Sequence, residues 1–163
     1  MLMVINLLLS EHMSSEFISC FLHVVISTYR QKNFLSANIR IQLSSYLATV
    51  AKSKGTKLVA LGGTENHIHF LIAIPFKLSV ESAILPLKQS STTWLRQNFD
   101  DLRSFSWATG FAAFSISRSQ LDSTLLYIQN QEQYHWRKSF EEEYKEFLNY
   151  HHLPYNELTL FDE

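Results

Sequence analysis

The run His67-Ile68-His69-Phe70-Leu71-Ile72-Ala73-Ile74, closed by Pro75, constrains the fold more than any other stretch of the chain. Strand side chains alternate faces with period two, so Ile68, Phe70, Ile72 and Ile74 make one wholly apolar face. That face must pack on other elements, most simply on helices. His67 and His69 share the opposite face, followed by Leu71 and Ala73. Two imidazoles at i and i+2 can converge on one divalent ion. Taken alone, such a pair more often marks a partly solvated sheet face.

The flanking segments supply the rest of an α+β domain. Residues 17–28, FISCFLHVVIST, are β-branched and aromatic and predict a buried first strand. Residues 37–53 predict a helix with Ile39, Leu43, Tyr46, Leu47 and Val50 on one stripe, stopped at Gly55. Residues 57–61 form a second strand, and Gly62-Gly63 supplies the turn into the third. Residues 79–98 form a second helix, with Pro86 expected to kink or restart it. Residues 104–117 read as a fourth strand interrupted at Gly110. A third helix runs from Ser119 to about Gln133, with Ser119 and Asp122 as a capping pair. A last, acidic helix covers residues 140–150. The order β-α-β-β-α-β-α, with a terminal helix, is that of a ferredoxin-like split βαβ sheet with added helices.

A chain of 163 residues suits one domain, expected over residues 13–156. Residues 1–12 read as an N-terminal extension, because Met13 is an alternative start. Their apolar stretch is too short to span a bilayer and lacks the basic residues of a signal peptide. Residues 157–163 read as an acidic tail. The lone Cys20 excludes an intramolecular disulfide framework and fits a reducing cytoplasm. The net charge of −1 conceals an asymmetry: residues 1–139 carry 13 Lys/Arg against 8 Asp/Glu, and residues 140–163 carry 1 against 7. A mildly basic body thus bears an acidic end, which suits either a solvated terminus or a regulatory one.

Chemistry-bearing residues recur on the third helix. At 100° per residue, Leu121, Leu125 and Ile128 make its buried stripe, and Tyr127 and Gln131, at i and i+4, share one flank. A flank position is neither lost in the core nor fully in water. Alone, this would also describe a marginal tyrosine and a surface glutamine.

With both features in this order, the chain resembles the single-tyrosine HUH transposases of small bacterial insertion sequences, especially the REP-associated tyrosine transposases. The resemblance covers residues 17–156. It is carried by His23-Val24-Val25-Ile26-Ser27-Thr28, Glu65-Asn66-His67-Ile68-His69-Phe70-Leu71, Lys88-Gln89-Ser90-Ser91, the segment 107–117, Tyr127-Ile128-Gln129-Asn130-Gln131-Glu132 and the segment 137–144. It implies that Tyr127 is the nucleophile, that His67, His69 and Gln131 hold the metal, and that the metal is Mg²⁺ or Mn²⁺. A site with no thiolate agrees with those ions. The implied reaction cuts and rejoins single-stranded DNA at hairpin-bearing repeats through a 5′-phosphotyrosine. A homodimer and a bacterial, nucleoid-associated, cytoplasmic setting come with it.

Single-stranded DNA needs cations and stacking aromatics. Arg30, Lys32, Lys88, Arg118, Arg137 and Lys138 are the candidate cations, and Phe34, Trp94, Trp107 and Trp136 the candidate stacking surfaces. His23 reads either as a core histidine or as a partner of the ligand pair. His135 lies four residues beyond Gln131, near enough to approach a phosphate. It stands in Tyr134-His135, where relatives carry paired histidines, and neither position is assigned a catalytic role.

Three other readings compete. A domesticated module that binds single strands without cutting them would be expected to lack Tyr127 or a ligand. An RNA-recognition domain needs a Lys/Arg-Gly-Phe-type strand, which is absent. Histidine-based phosphoesterases and hydrolases need a second His-x-Thr/Ser or a longer His-x-His-x-His series, and only one His-x-His occurs.

Overall fold

Strand β3 (His67–Ala73) lies inside an antiparallel sheet, between β2 (Lys57–Gly63) and β1 (Phe21–Ser27), and β4 (Ala112–Ile116) adds to the far side of β1. The resulting order, β2-β3-β1-β4, is the ferredoxin-like one. The coordinates are a computed structural model that describes residues 17–157 and 159–161. The expected N-terminal extension, residues 1–12, falls outside the described residues.

The two faces of the sheet differ as the alternation requires. Ile68, Phe70 and Ile72 of β3 join Leu22, Val24 and Ile26 of β1 in the main core. Helices α1 (Ala37–Ser53) and α2 (Val80–Asn98) cover this face with Leu43, Leu47, Ile84, Leu87 and Leu95. Both helices are capped by a serine: Ser36 Oγ accepts the Ile39 N–H and Ser79 Oγ accepts the Ser82 N–H. The opposite face carries His23, Val25, His67, His69 and Leu71. It is covered by α3 (Leu121–Gln129), α4 (Gln131–His135) and α5 (Phe140–Tyr150).

Several local expectations are corrected. Gly62-Gly63 is not the turn: both residues belong to β2, and the turn is made by Thr64, Glu65 and Asn66. Gly62 is required there for a different reason. A Cβ on it would lie 1.8 Å from the backbone oxygen of Ile128, so the bare residue lets α3 settle against the sheet. Pro86 does not interrupt α2, which is continuous through it. The segment 104–111 is mostly loop, with one isolated bridge between Thr28 and Trp107, and only 112–116 forms the strand. Trp107 is buried in the core, and its indole N–H donates to Ser91 Oγ at 2.9 Å. The expected pair of Ser119 with Asp122 does not cap the third helix: a capping box of Ser117 with Gln120 closes the 3-10 turn Arg118–Gln120 that leads into it. That helix also breaks at Asn130, so Tyr127 and Gln131 sit on successive short helices.

Within the expected acidic tail, Leu160 and Phe161 pack on the cluster of Phe140 and Leu148. Among the described residues, no helix is long and apolar enough to cross a membrane.

Candidate metal and nucleophile site

His67 and His69 project from β3 into the space under α3, α4 and α5, and both are fully buried. A partly solvated sheet face is therefore excluded for them. His67 Nδ1 lies 2.7 Å from Asn66 Oδ1 and 3.0 Å from Thr64 Oγ1. With its Nδ1 proton donated to Asn66, the ring presents a bare Nε2 inward. Phe140 stacks on the same ring at 4.2 Å between centroids and fixes its plane.

His69 is held in an analogous way. Its Nδ1 lies 2.9 Å from Nε2 of His23, one strand over on β1. His23 is buried, with Phe147 edge-on at 5.1 Å. It is thus both a core histidine and the partner that orients His69. Burial, reinforced by the neighbouring His69, lowers its pKa to about 3, so it remains neutral in the folded chain.

Gln131 opens α4, is buried, and places Oε1 3.4 Å from His67 Nε2 and 3.1 Å from His135 Nε2. Asn130, its neighbour, turns outward and donates to the Leu126 carbonyl at 2.7 Å.

The residue on which the site converges is Glu143, which the sequence reading did not single out. Its Oε2 lies 3.1 Å from His69 Nε2, 3.2 Å from His135 Nε2 and 3.7 Å from His67 Nε2. Its Oε1 accepts the hydroxyl proton of Tyr127 and, at 3.2 Å, the amide of Gln131. The carboxylate is 1% exposed. Helix α5 delivers it from its first turns, locked by a capping box: Ser139 Oγ accepts the Glu142 N–H, and the Glu142 carboxylate accepts the Ser139 N–H. A signal was present in the sequence. Glu143 falls in the stripe of Phe140 and Phe147, at i+3 and i+7, where a solvated acid would not be placed. The run Glu141-Glu142-Glu143 hid it among exposed carboxylates.

His135, expected only to approach a phosphate and assigned no catalytic role, also enters the cluster. Its Nδ1 donates to the Lys138 carbonyl at 2.8 Å, leaving Nε2 toward Glu143 and Gln131. His67, His69, His135 and Glu143 offer ligand atoms that all lie within 4.8 Å of one another. Such a cluster fits a divalent metal: its donors are imidazole nitrogens and one carboxylate, with an amide oxygen adjoining.

The family "Transposase IS200 like" matches residues 16–131, which span β1 to the first residue of α4. The chain belongs to this family. It is 29% identical over 108 residues to a transposase for insertion sequence element IS200 of Salmonella typhimurium, covering 62% of this chain and 70% of that protein. A relative of the same description from Salmonella typhi matches equally. In structure, the fold is similar to that of a putative transposase from Deinococcus radiodurans, with a TM-score of 0.61 at 19% identity over 74% of this chain and 97% of the other. A REP-associated tyrosine transposase bound to a REP hairpin superposes with a TM-score of 0.56 at 15% identity, over 78% of this chain and 74% of that one.

In this IS200-like chain the expected cations fall in different places. Arg30, Lys32, Arg118 and Arg137 are exposed, and Lys138, half-buried, pairs with Glu146. Lys88 is buried, and its ammonium donates to the carbonyls of Ala108, Thr109 and Gly110 at 2.8–2.9 Å, which pins the loop before β4. Of the four candidate stacking aromatics, Phe34, Trp94 and Trp107 pack on or in the core, whereas Trp136 is 80% exposed. A groove of about 590 Å³ joins Trp136 and Arg137 to Tyr127. A second cleft, of about 690 Å³, reaches Tyr127 from the side of Phe147, Tyr150 and Gln120.

The buried charges make stability depend on acid. His23 has a folded pKa of about 3 against 6.5 when unfolded, so the unfolded chain binds the extra proton between those values. Its contribution is present above pH 6.5 and is lost as pH falls. Glu143 is pushed up by burial but held far below the usual carboxylate range by His135 and His69, and its contribution is lost in the same direction below pH 4.5. His135 opposes them: its burial is outweighed by Glu143, and its raised pKa favours the folded state at lower pH. Urea midpoints should fall from pH 7 to pH 4.5, with His23 alone contributing about 2–3 kcal/mol of the loss. A flat profile would contradict the neutral His23.

Proposed function

We propose that this protein cuts and rejoins single-stranded DNA at hairpin-bearing repeats, with Tyr127 as the nucleophile. The observation that carries the reading is the convergence of the Tyr127 hydroxyl and the imidazoles of His67 and His69 on a single buried carboxylate, inside a chain of the IS200-like family.

The Tyr127 oxygen attacks phosphorus in line with the scissile P–O bond. A phosphotyrosine ester to the 5′ side forms, and the 3′ oxygen leaves, taking a proton to become a free 3′-OH. A second 3′-OH then attacks the phosphotyrosine and releases Tyr127. One ester is exchanged for another at each step, so no nucleotide hydrolysis is needed. Burial, followed by the charge and hydrogen bond of Glu143, holds the Tyr127 pKa far above the ordinary phenol value. The phenol is therefore protonated and silent at rest, and Glu143 is the acceptor toward which its proton already points.

A divalent ion, Mg²⁺ or Mn²⁺, held by His67, His69 and Gln131, would supply positive charge for the phosphate oxygens and for the forming phenolate. Asn66 and His23 keep the two rings turned for that task. Trp136, Arg137 and Lys138 line the groove beside Tyr127 and would receive the strand. Arg118, Arg30 and Lys32, exposed outside that lining, would add contacts to its backbone. We include a homodimer in this reading.

His67→Ala, His69→Ala and Gln131→Ala are each expected to reduce Mn²⁺-dependent cleavage of a hairpin-bearing single strand by at least ten-fold. Asn130→Ala, on an outward amide, should cleave within two-fold of the parent protein. Loss of cleavage with Asn130→Ala and retention with Gln131→Ala would reverse the ligand assignment.

A further inference from the structure

We infer that Glu143 and His135 are themselves ligands of the metal, so that the ion is held by three imidazoles and a carboxylate and helix α5 completes the site. The inference rests on the proposed metal-assisted reading and adds to its ligand set. Both residues lie beyond residue 131, where the family match ends.

The distances support it. Donors bound to one ion at about 2.1 Å stand roughly 3.0–3.4 Å apart. Glu143 Oε2 is 3.1 Å from His69 Nε2 and 3.2 Å from His135 Nε2, while His67 Nε2 lies at 3.7 Å. Gln131 Oε1 is 3.1 Å from His135 Nε2 and 3.4 Å from His67 Nε2. These are the separations of atoms facing a common centre, and small rotations about their side-chain bonds would admit an ion.

Each ring is also prepared from behind. Asn66, His23 and the Lys138 carbonyl engage the Nδ1 atoms of His67, His69 and His135, respectively. All three Nε2 atoms are thus turned to the same place, an arrangement typical of ligating histidines. A carboxylate that served only to anchor α5 would not need three imidazoles aimed at one of its oxygens.

Glu143 would then act on the nucleophile as well. Its Oε1 holds the Tyr127 hydroxyl, while Oε2 faces the imidazoles. One carboxylate thereby sets the distance between phenol and metal. An imidazole-rich set favours Mn²⁺ over Mg²⁺, which prefers oxygen donors and retained water.

The experiment is a titration of the full chain with Mn²⁺ alone, followed by the electron paramagnetic resonance of the free ion, without DNA. The parent protein should bind one Mn²⁺ per site. Glu143→Gln preserves size and hydrogen-bonding capacity but removes the charge, and it should weaken binding on the order of ten- to a hundred-fold. His135→Ala should weaken it by a similar factor. Glu143→Asp keeps the charge and withdraws it by one methylene, so it remains informative if Glu143→Gln does not fold, and it too should bind at least five-fold more weakly. Glu146→Gln, an exposed carboxylate on the same helix, should bind like the parent.

Mn²⁺ affinity within two-fold of the parent in a folded Glu143→Gln or Glu143→Asp protein would overturn the inference and leave the proposed function standing. A parent chain that binds no Mn²⁺ would overturn both. Glu143-dependent binding, in a protein whose covalent DNA adduct survives Tyr127→Phe, would overturn only the proposed function.

Discussion

Tyr127→Phe is expected to abolish a covalent protein–DNA adduct entirely. The parent protein, incubated with Mn²⁺ and hairpin-bearing single strands from the DNA flanking its own gene, should yield a species of slower migration that survives SDS. The phenylalanine variant removes one oxygen and keeps the ring, which contacts Tyr134 and Phe147 edge-on at 5.1 and 5.9 Å between centroids. The fold is thus preserved, and the loss of the adduct reads the chemistry directly. The variant also removes a hydrogen bond from the buried Glu143, a destabilisation of roughly 1–3 kcal/mol. Adduct in the variant would move the nucleophile to another tyrosine. No adduct with the folded, metal-loaded parent would favour a module that binds single strands without cutting them.

Gly62→Ala is expected to damage both stability and cleavage with a single added methyl. The added Cβ would meet the backbone oxygen of Ile128 at 1.8 Å and its carbonyl carbon at 2.8 Å. Backbone cannot rotate away as a side chain can, so α3 must lift from β2. Overpacking of this kind costs about 1–3 kcal/mol, or roughly 2–12 °C in Tm for a domain of this size. Ile128 is next to Tyr127, so the displacement is delivered to the hydroxyl that Glu143 holds. Cleavage should fall by more than ten-fold even where the variant remains folded, because misplacement by about 1 Å can cost a hundred-fold. Differential scanning calorimetry paired with the cleavage assay checks both parts. An unchanged Tm would mean that α3 does not rest on Gly62.

The two results bear on different levels of the same construction. The tyrosine tests a reacting atom, and the glycine tests the packing that places it. Between them stands α5, whose Glu143 is reached from β3 by His67 and His69, from α3 by Tyr127, and from α4 by Gln131 and His135. Four elements meet at one carboxylate, so a displacement of any of them is felt by the others.

What could be read from residues alone was whatever depends on periodicity. The alternation in 67–74 determined a strand, its buried face and the common side of His67 and His69, because strand geometry leaves no other arrangement. The stripe of Leu43 and Leu47 determined α1, and the spacing of Leu121 and Ile128 determined the face on which α3 packs. Only the tertiary structure decided where those faces meet. Gly62-Gly63 carries a turn signal, yet the close approach of α3 requires a bare residue within the strand. Lys88 looks like a surface cation, yet the carbonyls of the 108–110 loop enclose it. Glu143 belongs to an acidic run, and only its place in the stripe of Phe140 and Phe147 separates it from Glu141 and Glu142. Its role arises from three imidazoles contributed by β3 and α4, and the chemistry of a buried charge depends on the partners that surround it more than on the residues beside it in the chain.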